Sequence, residues 1–171
     1  MLALANNTRN FQCGVSTAGV SDLAQYSLYY YKKFLGLVCH RSYVQHYGAD
    51  PTTANGSDWL LDRSPVAHAD RIRKPLLLMH GRQDPTVWPE HSDWMAVKLR
   101  NASISFDYVI FKEAGHFSSL HSTEYRLMKA MEEEFLGRCL NLTYEPVSAK
   151  EFCSDEIEVN ATNLLEHPKC D

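Results

Sequence analysis

No two of the five cysteines (Cys13, Cys39, Cys139, Cys153, Cys170) have C-x-x-C spacing, which removes the zinc-site and thioredoxin-type readings. No apolar run is long enough to cross a bilayer as a helix. A formal net charge of −4 comes without a clustered basic stretch, so no nucleic-acid partner is expected. Met1–Asn6 has neither the basic segment nor the length of a secretory signal, so any such signal is expected upstream.

What is present describes a packed domain. The 171 residues are 44% hydrophobic and 11% aromatic, far from the composition of a disordered chain. Charge is uneven: 145–171 holds seven acidic and two basic residues, which leaves 1–144 close to neutral. The division expected is a main domain over 1–144 and an acidic extension over 145–171. Five N-x-S/T sequons begin at Asn6, Asn55, Asn101, Asn141 and Asn160, against about one expected by chance from the composition. With the cysteines, they lean the compartment towards extracellular or luminal.

Periodicity supplies the elements. Met1–Asn7 reads as closing turns of a helix, and Phe11–Ala18 as a short strand. Tyr26, Tyr29, Tyr30 and Phe34 fall at helical offsets in Ser21–Leu35, with Gly36 as a stop. His40–Asp62, with Asp50-Pro51 and Asn55-Gly56, reads as a long loop. Leu76–Met79 is apolar at every position, as in a strand buried on both faces. A helix is expected from Pro89 to Leu99, a strand over Phe106–Phe111 and a helix over Tyr125–Leu140. This alternation predicts an α/β fold with a mostly parallel sheet and helices on both faces.

In such sheets, chemistry gathers in loops at the carboxyl ends of the strands. The loops after the second and third strands carry Asp84 and His116. A carboxylate that orients an imidazole makes a general base for a nucleophile. On spacing alone, Asp84 reads first as a cap for the next helix or a hold on the turn, and His116 as an ordinary loop histidine. His80 reads as a structural strand-end residue, and His68, His91 and His121 as surface residues.

One resemblance changes the balance. Ser64-Pro65, Ile72, Lys74-Pro75-Leu76-Leu77-Leu78-Met79-His80-Gly81, Asp84, Val87, Pro89, His91-Ser92, Ala96 and Leu99 resemble the prolyl oligopeptidase family. Glu113-Ala114-Gly115-His116 and Phe11-Gln12-Cys13-Gly14-Val15 do so too. The dipeptidyl peptidase and acylaminoacyl peptidase branches are most similar. The resemblance implies the C-terminal part of an α/β-hydrolase catalytic domain of a serine peptidase, with Asp84 as triad acid and His116 as triad base. It implies short peptides as substrate and no cofactor.

The family's serine lies in G-x-S-x-G-G. No G-x-S-x-G occurs here; Gly14-Val15-Ser16-Thr17-Ala18-Gly19 has one residue too many. The nucleophile is therefore expected upstream, with an N-terminal β-propeller, and the chain by itself is expected to be inactive. By the same resemblance, Val20, Leu23, Tyr26 and Tyr30 wall a pocket for a proline-like side chain. The resemblance also implies that Cys13 pairs with Cys139, which leaves Cys153 and Cys170 open to pairing within the tail and Cys39 left over. A homodimer stays open, as do an esterase and a non-catalytic module on the same fold.

Overall fold

The computed structural model describes residues 1–6, 9–33, 44–116, 123–143 and 157–159. A short helix α1 (Leu2–Asn6) leads into strand β1 (Gly14–Thr17) and helix α2 (Leu23–Lys33). Helix α3 (Ala54–Asp62) and a 3-10 segment (Pro65–Arg71) bring the chain back to strand β2 (Leu76–Gly81). Helix α4 (Glu90–Asn101), strand β3 (Asp107–Phe111), helix α5 (Thr123–Leu140) and strand β4 (Ile157–Val159) complete the order.

The sheet runs β1-β2-β3-β4, with the first two pairings parallel and the last antiparallel. Side chains alternate across a strand, so β2 divides its apolar run between two cores. Leu76 and Leu78 pack with Met95, Ala96 and Leu99 of α4, and with Leu4 and Ala5 of α1. Leu77 and Met79 pack on the other face with Leu127, Met128 and Phe135 of α5. All four β2 side chains are fully buried, each worth about 1.5–3 kcal/mol relative to exposure. The α/β architecture with helices on both faces is as expected.

Several boundaries differ from the expectation. β1 is only four residues long, and Phe11 is exposed outside it. The expected loop over His40–Asp62 contains α3. Thr53, in extended conformation, accepts the Gly56 N–H at its hydroxyl and caps the helix. Leu60 is buried completely and anchors it. Asn55-Gly56 therefore lies in a first helical turn rather than in a β-turn. The expected Gly36 stop, Cys39, His121, and the Cys153 and Cys170 pairing lie outside the described residues. The three residues of β4, in the acidic stretch, pair with Val109–Phe111 of β3.

Candidate active site

β2 and β3 run parallel and in register, so their carboxyl ends deliver two loops side by side. Arg82 N–H donates to the Phe111 carbonyl at 2.8 Å and Gln83 N–H to the Ala114 carbonyl at 3.0 Å. Gly81 sits where they cross: a Cβ there would collide with the carbonyls of Ala114 and Gly115. The His80-Gly81 dipeptide thus has a steric cause at its second position.

Asp84 is 5% exposed at this crossing. Its Oδ1 accepts the backbone N–H of Thr86 at 2.8 Å and of Val87 at 2.9 Å. Its Oδ2 lies 2.7 Å from Nδ1 of His116, whose ring is partly open to solvent. Beside a carboxylate, Nδ1 is the nitrogen that carries the proton, so Nε2 bears the lone pair of the neutral ring.

The same Oδ2 lies 3.2 Å from Nε2 of His80, a side chain with no exposed surface. His80 Nε2–H donates to the Val87 carbonyl at 2.8 Å, and Nδ1 accepts from the Ser92 hydroxyl at 2.7 Å. A carbonyl can only accept, which assigns the tautomer. Burial lowers the pKa of His80, against the opposing pull of its bond to Val87 and of Asp84, and keeps the ring neutral. Its place at the strand end was legible, whereas its reach to Asp84, four residues on, was not. The only sequence signal was a histidine inside an otherwise apolar strand.

The tyrosines of α2 meet the Asp84 loop. Tyr30 donates its hydroxyl to the Thr86 carbonyl at 2.7 Å. Tyr26 and Tyr30 pack with ring centroids 4.8 Å apart, and Tyr29 meets Trp88 edge-on at 4.0 Å. Val20, just before α2, and Leu23, which opens it, are half-buried. Tyr30 is thereby tied directly to the Asp84 loop, while the Leu23 N–H donates to the Ser64 hydroxyl at 2.8 Å.

Two histidines expected on the surface are buried. His68 is 9% exposed, and its Nε2 lies 2.5 Å from the Asp62 carbonyl. His91 is wholly buried among Tyr26, Trp88 and Trp94. Its Nδ1 accepts the Asp22 N–H at 3.4 Å, its carbonyl accepts from Ser21, and its Nε2 has no hydrogen-bond partner among the described residues. Burial pushes its pKa down to about 4. Both were misread because polarity alone says nothing about which side of a helix faces the core. The described residues contain no His/Cys/Asp/Glu group able to hold a metal. Cys13 and Cys139 form a disulfide across 126 residues of chain, the pair expected from the resemblance.

Known proteins match this architecture. Dipeptidyl aminopeptidase BIII of Pseudoxanthomonas mexicana is 33% identical over 152 residues, 87% of this chain and 21% of that protein. Dipeptidyl peptidase family member 6 of Caenorhabditis elegans is 28% identical over 162 residues, 92% of this chain and 21% of that protein. The chain thus spans about a fifth of the length of these relatives. Among solved structures, a Mycobacterium tuberculosis puromycin-hydrolyzing peptidase superposes with a TM-score of 0.62 at 24% identity, over 85% of this chain and 21% of that one. Pyrococcus horikoshii acylaminoacyl peptidase gives a TM-score of 0.60 at 23% identity, over 88% of this chain and 23% of that one. These structures share the fold. The family model described as "Prolyl oligopeptidase family" matches residues 1–143, and the chain belongs to that family.

Proposed function

We propose that this chain supplies the acid and base of a serine peptidase, with Asp84 orienting His116 and His116 activating a serine that lies outside these residues. The carrying observation is the 2.7 Å contact between the Asp84 carboxylate and His116 Nδ1, with the second carboxylate oxygen held by two backbone N–H groups. That grip stops the carboxylate from turning away. It leaves Nε2 to take the serine proton on attack and return it to the leaving amine. Asp84 then stabilises the imidazolium without accepting its proton.

The serine is assigned elsewhere because no G-x-S-x-G occurs in the chain, and because the named relatives are about five times longer. The substrate class follows from the relatives' names and from the tyrosine wall: short peptides, with Tyr26 and Tyr30 beside the acid loop where a proline-like side chain would lie. Leu23, an aliphatic residue at the head of that wall, gives a looser pocket than an aromatic one.

A fluorophosphonate probe tests the reading. The protein that carries this chain together with a serine elbow should be labelled at that serine. Its His116→Ala variant should lose labelling, and the 171-residue chain alone should take up none. Labelling of the chain alone would place the nucleophile inside it and end the proposal. Hydrolysis of dipeptide amides in preference to simple esters distinguishes a peptidase from an esterase.

A further inference from the structure

Three of the five sequons have their asparagine among the described residues and their hydroxyl residue with it, and their settings differ. Asn55 lies in the first turn of α3. There Gly56 is buried, so closely seated that a Cβ would strike the Asp50 carbonyl, and Ser57 is half-buried. The other two follow a different pattern. Asn101 is the last residue of α4; it and Ser103 are exposed, and Ser103 turns the chain with φ +56°. Asn141 follows the last residue of α5. Asn141, Leu142 and Thr143 are all exposed, and Asn141 itself has φ +53°.

Backbone bonds close both helix ends. Ser103 N–H reaches the Arg100 carbonyl at 3.0 Å and Ile104 N–H the Leu99 carbonyl at 3.0 Å; Leu142 N–H reaches the Gly137 carbonyl at 2.9 Å. The turns therefore do not depend on the asparagine amides.

Topology puts the two asparagines at one end of the molecule. α4 starts from the carboxyl end of β2 and returns to the amino end of β3, so Asn101 ends at the amino edge of the parallel strands. Cys139, two residues before Asn141, is bonded to Cys13, the residue just before β1. Asn141 is thereby tied to the same edge, while Asp84 and His116 occupy the opposite, carboxyl edge. A Cys13–Cys139 disulfide fits a domain that folds in an oxidising compartment, the setting in which sequons are used.

We propose that Asn101 and Asn141 carry N-linked glycans, which form a sugar-covered pole opposite the candidate active site. In the transfer, the side-chain amide nitrogen bonds to the anomeric carbon of an oligosaccharide carried on a polyprenyl diphosphate. The bond from that carbon to the diphosphate oxygen breaks, the amide gives up one proton, and polyprenyl diphosphate leaves. A glycan at either position extends from a turn into solvent and leaves both hydrophobic cores untouched. It stands clear of the Asp84 and His116 loops, so it does not hinder substrate.

The test is peptide mass spectrometry on the full protein purified from its native source or from a eukaryotic secretory host. Amide-cleaving glycosidase in heavy-oxygen water should convert Asn101 and Asn141 to labelled aspartate. Ser103→Ala and Thr143→Ala should each remove one mobility step on a denaturing gel. Neither variant should change fluorophosphonate labelling, a readout that reports on the peptidase reading separately. Unmodified asparagine at either position in the disulfide-bonded protein overturns the assignment for that position. Free thiols at Cys13 and Cys139 in the native-source protein overturn its basis.

Discussion

At the residue scale, Asp84 is held from three directions. Two backbone N–H groups fix one oxygen, and His116 and His80 share the other. Of these, His80 is the one whose contribution is separable. His80→Leu keeps the bulk but removes the N–H that the Val87 carbonyl accepts beside Asp84, so the loop that holds the carboxylate for His116 is less well fixed. The expected result in the serine-bearing protein is a kcat lowered about tenfold with KM little changed. His80→Gln restores a donor and recovers part of the loss; equal loss in both variants would make His80 a packing residue only.

His91 bears on stability in acid. Its pKa is about 4 in the folded protein and close to the ordinary histidine value of about 6.5 when unfolded. Below that higher value the unfolded chain binds a proton that the folded one refuses. Stability is therefore complete above about pH 6.5 and declines as pH falls towards 4, by an amount on the order of 3 kcal/mol. Denaturant midpoints at several pH values should show this slope, and His91→Phe should flatten it. An unchanged slope in the variant would assign the acid sensitivity to other groups.

At the scale of elements, the three parallel strands were readable, while the irregular connections and β4 were not. Leu76–Met79 is apolar on both faces, and only a strand between two helical layers satisfies that. α3 escaped because Asn55-Gly56 carries turn chemistry, while the signal that wins is the Thr53 cap two residues earlier. β4 has three residues and no alternation long enough to register. The disulfide joins the residue before β1 to the last turn of α5, fastening that helix to the edge of the sheet. Replacing both cysteines with serine should lower stability by about 2–4 kcal/mol through a less constrained unfolded chain. Urea denaturation of the double variant measures it, and an unchanged midpoint would show that α5 is held by its core contacts alone.

For the molecule as a whole, the site exists because two βα units lie parallel and in register. Asp84 and His116 are 32 positions apart in sequence, and neither loop alone has any chemistry to offer. Their pairing could be anticipated from strand order and from the resemblance, since both loops had to open on the same edge. What could not be read was the support beneath them: the His80 bridge, the Tyr30 tie to Thr86, and the burial of His91. These depend on how α2 and α4 rotate against the sheet, which local pattern does not encode. Among the described residues β1 has a sheet partner on one side only. The measurement closest to the central claim is low-field proton NMR of the folded protein. A strongly deshielded His116 Nδ1 proton should be present and should vanish in Asp84→Asn, which offers no carboxylate to hold it. Its absence from the unaltered protein, or its survival in Asp84→Asn, would contradict the couple on which the account rests.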